Sequence, residues 1–399
     1  MGNATATVTR WSRAFVAVGI GFFLAWQVAV AAGLPRAATV PLGVTGFVLH
    51  VAFGKAYTLI PSYFARELAV PRAPAVHLPL AVVGTVGAAA AGAGLGPPAL
   101  ALLGAGSWFV GCLVFVAAIG WTVRDNPTGQ ETGTGTTDAH RERVDRLANA
   151  AVPAVLAYLL VGSSLSLAIE LGLEPPVVAP GPATTHLLAA GTVALLVFAV
   201  GFRLFPRLLV ASVRPSLVGL VLAAGVAGPA LLAADFRGGA LFRLGGALEA
   251  TALVGFAVAV ADLFRRTDRR RVGGRAILAA ACCGALIAAL GLLFAFAPAA
   301  SVPPAAYDAH YRLAVGGFVG LTIVGVTYRF YPPAVASQWG VGDRTARLSV
   351  ASLIGGLGFE VTGLLASAPS LVGAGRWLSV LGAALYVTVL WTVFLERAR

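Results

Sequence analysis

Twelve apolar stretches alternate with short polar connections along the chain, running at about 14–33, 41–62, 77–96, 100–122, 150–171, 185–206, 215–234, 241–264, 276–298, 309–331, 347–368 and 376–395. Each comes close to the roughly 20 residues that a helix needs to cross a hydrocarbon core of about 30 Å. Lipid offers backbone groups no partner, so runs of this length predict helices that satisfy their own N–H and C=O groups. One polar stretch, 124–146, contains TGQETGTGTT, and its Gly/Thr composition predicts a flexible linker rather than a domain.

A cassette recurs within these stretches. Residues 310–332 read HYRLAVGGFVGLTIVGVTYRFYP, and residues 186–206 read HLLAAGTVALLVFAVGFRLFP. Both open on a histidine, His310 and His186, and close on a proline; Gly325 and Gly201 each follow fifteen positions after the histidine. A weaker copy spans Thr39 to Pro61, with Gly46-Phe47-Val48 answering Gly317-Phe318-Val319 and Gly54 answering Gly325. Thr39 stands at its histidine position, and a histidine, His50, lies deeper. The cassette falls on the second, sixth and tenth spans, so the repeat predicts an all-α, polytopic membrane protein of twelve transmembrane helices as three repeats of four, related by a pseudo-threefold axis. The repeats are bounded as 1–123, 147–271 and 272–399, with 124–146 joining the first two. Small-residue stripes such as Gly316/Gly320 let neighbouring helices approach closely.

Composition agrees with a membrane protein. The 399 residues are 58% hydrophobic and 11% charged, with a mean hydropathy of +0.87; a soluble domain carries about 25% charged residues. The net charge of +12 is almost all arginine, Lys55 being the sole lysine. These arginines lie in the connections, which points to membrane topology rather than nucleic acid as a partner. Cys112, Cys282 and Cys283 fall inside apolar spans without Cys-x-x-Cys spacing, and read as small buried residues.

Charge asymmetry orients the set. Arg10, Arg13, Arg66, Arg72, Arg124, Arg141, Arg143, Arg146, Arg207, Arg214, the 265–275 cluster, Arg344 and Arg347 fall on one side with Arg397 and Arg399, while Arg36, Arg237, Arg243, Arg312 and Arg376 fall on the other. The expected localisation is the plasma membrane, with both termini in the cytoplasm and His186 and His310 at the outer ends of their helices.

With this arrangement the chain resembles the catalytic subunit of haem-copper oxidases and the related NnrS-type membrane proteins. The oxidase fold has twelve helices in three arcs of four, and its tenth helix carries a pattern close to H-x-H-Y-x-L-x-x-G that ends in an aromatic-rich F-P. Residues 308–316 read DAHYRLAVG and the helix ends Phe330-Tyr331-Pro332. The match implies that His310 takes the place of the histidine that ligates the low-spin haem, and that Asp308 stands at the high-spin ligand position. The His186 segment is more similar to NnrS, where a histidine opens a helix. The resemblance covers the repeat architecture, with residue-level matches over about twenty positions per repeat. Its copper site requires histidines at the seventh span, and SLVGLVLAAGVAGPALLAAD has none, so a complete oxygen-reducing haem-copper site is not expected.

Imidazoles from separate helices are suitable ligands for haem iron, copper or zinc. A lone histidine at a helix end also serves as an interfacial hydrogen-bonder, and His77 and His140 read as incidental. Among the outer arginines, Arg237, Arg243, Arg312 and Arg376 are candidates for haem propionates or for ordinary snorkelling. Lys55, Glu249 and Glu360 are buried charged candidates, for an ion pair or for proton movement. Two functions follow from these residues. In one, haem b or copper is bound through His310, His186 and His50, for electron transfer to a redox partner, nitric-oxide response or metal handling. In the other, the chain is a proton-coupled secondary transporter of a small solute, or a cofactor-free structural membrane protein. Either works within the lipid bilayer, and no enzyme class is fixed. Reporter fusions in 124–146 and in 265–275 are expected to report the cytoplasm; a signal from the opposite side at either position overturns the orientation.

Overall fold

The computed structural model describes every residue except 1, 175–179, 237, 268–271, 337, 339 and 397–399. Among the described residues it is helical, without strands. Twelve helical segments are long and apolar enough to cross a bilayer: α1 (Ala4–Ala31), α2 (Arg36–Tyr63), α3 (Ala73–Gly92), α4 (Ala99–Val123), α5 (Ala139–Glu170), α6 (Pro180–Leu209), α7 (Pro215–Ala234), α8 (Ala240–Arg265), α9 (Val272–Phe296), α10 (Pro304–Val335), α11 (Asp343–Leu365) and α12 (Pro369–Glu396). They correspond one to one with the twelve stretches expected from the sequence. The chain is a multi-pass membrane protein whose outward-facing side chains, among them Leu103, Trp121, Val258, Leu286, Trp377 and Leu395, are exposed and apolar. Such a belt is a liability in water and the natural face toward lipid.

Three helices sit inside the other nine. In α2, α6 and α10 the most apolar window is 67% buried, against 33–50% in the rest. The same three helices leave the α-helical path. Wider, π-helical turns occupy Pro41–Leu49 in α2, Leu187–Ala194 in α6 and Leu313–Leu321 in α10. They end five, seven and four residues before Gly54, Gly201 and Gly325 respectively. A π turn moves each N–H to a more distant acceptor and leaves carbonyls poorly aligned. Polar side chains answer those carbonyls: Thr45 Oγ1 donates to the Pro41 carbonyl (2.8 Å), Thr192 Oγ1 to that of Leu187 (3.3 Å) and Thr322 Oγ1 to that of Phe318 (2.6 Å).

Glycine sets how closely the inner helices pack. A Cβ at Gly325 would lie 2.5 Å from the Gly273 carbonyl oxygen, so α10 and α9 touch backbone to backbone there. Gly43 and Gly316 flank the fully buried Trp26 indole of α1, 2.9 Å and 3.2 Å from where their Cβ atoms would stand. Cys112 and Cys283 are buried as expected, whereas Cys282 faces outward, because the adjacent position on a helix points about 100° away. All three are free thiols.

The 124–146 stretch is tied down rather than free. Asn126 Nδ2 donates to the carbonyls of Phe64 (3.1 Å) and Glu131 (2.8 Å), and its last residues are helical, extending α5 to Ala139. The reason lies in Asp145, fully buried at the start of α5. Arg207 Nη2 reaches its Oδ2 at 2.7 Å and Arg203 Nη2 at 3.3 Å, and the Thr134 hydroxyl donates to it as well. Arg203 in turn donates to Asn149 Oδ1 (2.6 Å) and to the Tyr63 carbonyl (3.0 Å), and lies over the Tyr63 ring (4.0 Å). A Gly/Thr-rich composition signals flexibility only until an acid within it finds a buried arginine, here Arg203, and a half-buried one, Arg207. Asp145→Ala removes the partner of a buried guanidinium and is expected to cost about 3–5 kcal/mol. The check is the unfolding midpoint in detergent, which should fall well below that of a surface control such as Asp125→Ala.

Candidate metal site between the inner helices

His186 and His310 come from different cassettes, 124 positions apart, yet their rings are neighbours and nearly parallel. The centroids are 6.5 Å apart and the planes differ by 23°. Each histidine sits at the mouth of a π segment: His186 immediately precedes Leu187, and His310 lies three residues before Leu313. Phe236 packs on the His186 ring at 4.8 Å and Phe294 on the His310 ring at 5.3 Å. His186 Nδ1 is 3.0 Å from the Pro182 carbonyl, the usual anchor that fixes a ligating imidazole's tautomer and leaves Nε2 free. His310 Nδ1 is buried without a hydrogen-bond partner. Two metal–nitrogen bonds of about 2.0 Å plus the two ring radii span roughly 6 Å. The centroid spacing of 6.5 Å is close to that value; a metal between the rings, whether a copper ion or a haem iron, would take one in-plane nitrogen from each. No third His, Cys, Asp or Glu completes a metal cluster among the described residues.

His50 belongs elsewhere. It is fully buried in α2, with Nδ1 2.8 Å from the Thr45 carbonyl and its ring against Phe15 and Phe22. Its bond caps a carbonyl of the π segment, and its Nε2 has no partner. His77, expected to be incidental, is fully buried too: Nδ1 meets the Tyr57 hydroxyl at 3.1 Å, among Phe15, Phe53 and Phe115. Its place at a helix start gave no sign of this.

The outer arginines divide. Arg243 is exposed, and Arg237 lies outside the described residues. Arg312 turns away from the histidines. Its Nε donates to Glu360 Oε2 (2.7 Å) and its Nη2 to Gln27 Oε1 (2.8 Å), and the guanidinium lies over the Trp26 ring at 4.4 Å. Arg376 Nε completes the cluster on Glu360 Oε1 at 2.9 Å, and Trp26 Nε1 donates to the Tyr311 hydroxyl at 2.7 Å. Arg312 and Arg376 are thus structural ion-pair partners. Asp308 is bonded to Arg36, whose guanidinium lies over the Tyr311 ring.

Neither acid is the partner of Lys55. Glu360 serves the two arginines, and Glu249 Oε1 is buried without a partner, packed where a Cβ on Gly228 would stand. Lys55 Nζ donates instead to the Tyr331 hydroxyl at 2.7 Å and lies over the rings of Phe330 (4.5 Å) and Tyr331 (4.4 Å). Sequence alone pairs charges by sign and depth; it does not say that an aromatic pair at the end of the cassette takes the ammonium.

Comparison of the chain with protein-family models and with curated proteins yields no match. Substitution of the Glu360 cluster has a defined order of effect. Glu360→Gln leaves two guanidinium groups facing each other, one of them buried, and is expected to cost about 3 kcal/mol or more. Arg376→Ala, at a half-exposed position, should cost clearly less, as read from unfolding midpoints in detergent; the reverse order rules out the buried cluster.

Proposed function

We propose that the chain holds one metal centre, a copper ion or the iron of haem b, between His186 and His310, and acts in electron transfer, nitric-oxide response or metal handling. The observation that carries this reading is the convergence of the two cassette histidines, one with Nδ1 anchored to a carbonyl and the other with a buried Nδ1 that no protein group satisfies. A buried polar atom left unpaired is costly, and a bound metal ion is one way to satisfy it. When bound, such a centre supplies one-electron chemistry. The protein would orient the two imidazoles, with Phe236 packed on the His186 ring and Phe294 on the His310 ring.

The proposal includes the architecture around that centre. Three repeats of four, 1–123, 147–271 and 272–399, place α2, α6 and α10 in equivalent positions, and the chain lies in the plasma membrane with both termini cytoplasmic. The inner placement of these three helices, their π segments in near-equal register and the recurrent glycine support it. The likeness to haem-copper oxidases and NnrS-type proteins rests on the cassettes. Glu249 favours a second reading, a proton-coupled transporter, because its Oε1 is a buried acceptor with no partner.

The test is metal analysis and a visible spectrum of protein purified from cells supplied with copper and haem. About one metal per chain is expected, and it should be lost from both His186→Ala and His310→Ala while His140→Ala retains it. A Soret band assigns haem, and copper without a Soret band assigns the ion. A colourless, metal-free protein, or metal retained in both variants, overturns the site.

A further inference from the structure

A cavity of about 110 Å³ lies where α2, α6 and α10 meet, away from the histidine pair. Its walls are aliphatic: Val48, Val51, Leu196, Val197, Val319 and Ile323 are representative. Two threonines, Thr322 and Thr327, reach it, and both hydroxyls are already donated to carbonyls of their own helix. Lys55 is the single charged group in the lining and the sole lysine of the protein.

Lys55 is held but not neutralised. Among the described residues no carboxylate forms an ion pair with it. An ammonium has three donors. One goes to the Tyr331 hydroxyl, and the rings of Phe330 and Tyr331 stabilise the charge without taking a further hydrogen bond. A charge set against apolar walls is costly unless an opposite charge meets it. Elsewhere this protein meets that requirement from within: Asp145 and Glu360 each receive two arginines. At Lys55 it does not.

We propose that the central cavity is a binding site for a small monocarboxylate, with the carboxylate on Lys55 and an apolar body among the valines and leucines of α2, α6 and α10. Lys55 and Phe330 lie toward the proline ends of the cassettes, whereas Val48, Val193 and Val319 lie at or beside the π segments. The ligand's head therefore points to the proline ends and its body to the π segments. Size limits the body. An engineered cavity of about 150 Å³ takes benzene, so a ring of that size or a short branched alkyl chain is the upper bound here. A dicarboxylate or a sugar acid is excluded, because its remaining polar groups would meet only aliphatic wall.

Benzoate and benzene separate the two halves of the claim. In equilibrium dialysis of the purified full-length protein in detergent, isotope-labelled benzoate is expected to bind saturably, at least tenfold tighter than benzene. Lys55→Met should lose at least tenfold in benzoate affinity and leave benzene unchanged, and Val197→Phe, which fills the cavity from α6, should abolish both. Should Lys55→Met fail to fold, the wild-type comparison and Val197→Phe still decide. Equal affinities for benzoate and benzene, no saturable benzoate binding, or benzoate binding unaffected by Val197→Phe each overturns the proposal. The measurement needs no metal and no histidine, so its result is independent of the His186–His310 site.

Discussion

A bilayer supplies no hydrogen bonds, so the backbone groups within the spans, and most of the charges buried there, are answered from inside. The three inner helices meet that constraint in the hardest place. Their π turns leave carbonyls that ideal α-helical turns would satisfy, and Thr45, Thr192, Thr322 and the His50 imidazole supply the missing donors. Each donor is short, local and on its own helix, so the wider turns persist without help from solvent. His186 and His310 stand at the start of two such segments.

The same constraint explains where the charges went. Asp145 is met by Arg203 and Arg207 near the proline end of α6, and Glu360 by Arg312 and Arg376 near the histidine end of α10. Buried ion pairs are weak contributors to net stability, since desolvation offsets much of their attraction. Their use here is geometric, because a buried acid with two forked donors accepts few alternative arrangements. Aromatic faces finish the job: Tyr63 beneath Arg203, Trp26 beneath Arg312, and Phe330 with Tyr331 around Lys55.

The helices are legible in the sequence because their signal is length and hydropathy, and both survive without context. Span positions agree to within a turn or two at most ends, and the cassette by itself singles out α2, α6 and α10, the three helices that prove to be the inner ones. Side-chain partnership is not legible. Arg312 reads as an outer arginine because its neighbours in sequence are interfacial, while its real neighbours, Gln27 and Glu360, are 285 and 48 positions away. Asp145 is hidden in a low-complexity linker, and Lys55 has two acids at suitable depth and pairs with neither. The π segments leave no mark either, since wide turns draw on the same Gly, Val, Leu and Thr as ordinary membrane helices. The meeting of His186 with His310 has one cue, their equal spacing from a glycine.

The two ion clusters also divide the labour among the contacts of the inner helices. One fastens α2 to α6 through Tyr63, Asn149 and Arg203; the other fastens α10 to α1, α11 and α12. Between α6 and α10 there is, among the described residues, no ion pair: the contacts include the two imidazoles at one end, Phe198 against Phe318 midway, and a long bond from Arg329 to the Leu208 carbonyl. In mechanical terms the molecule has two riveted seams and one that is only pressed shut. A force that pulls the inner helices apart meets, among the described residues, no ion pair anywhere along the α6–α10 seam.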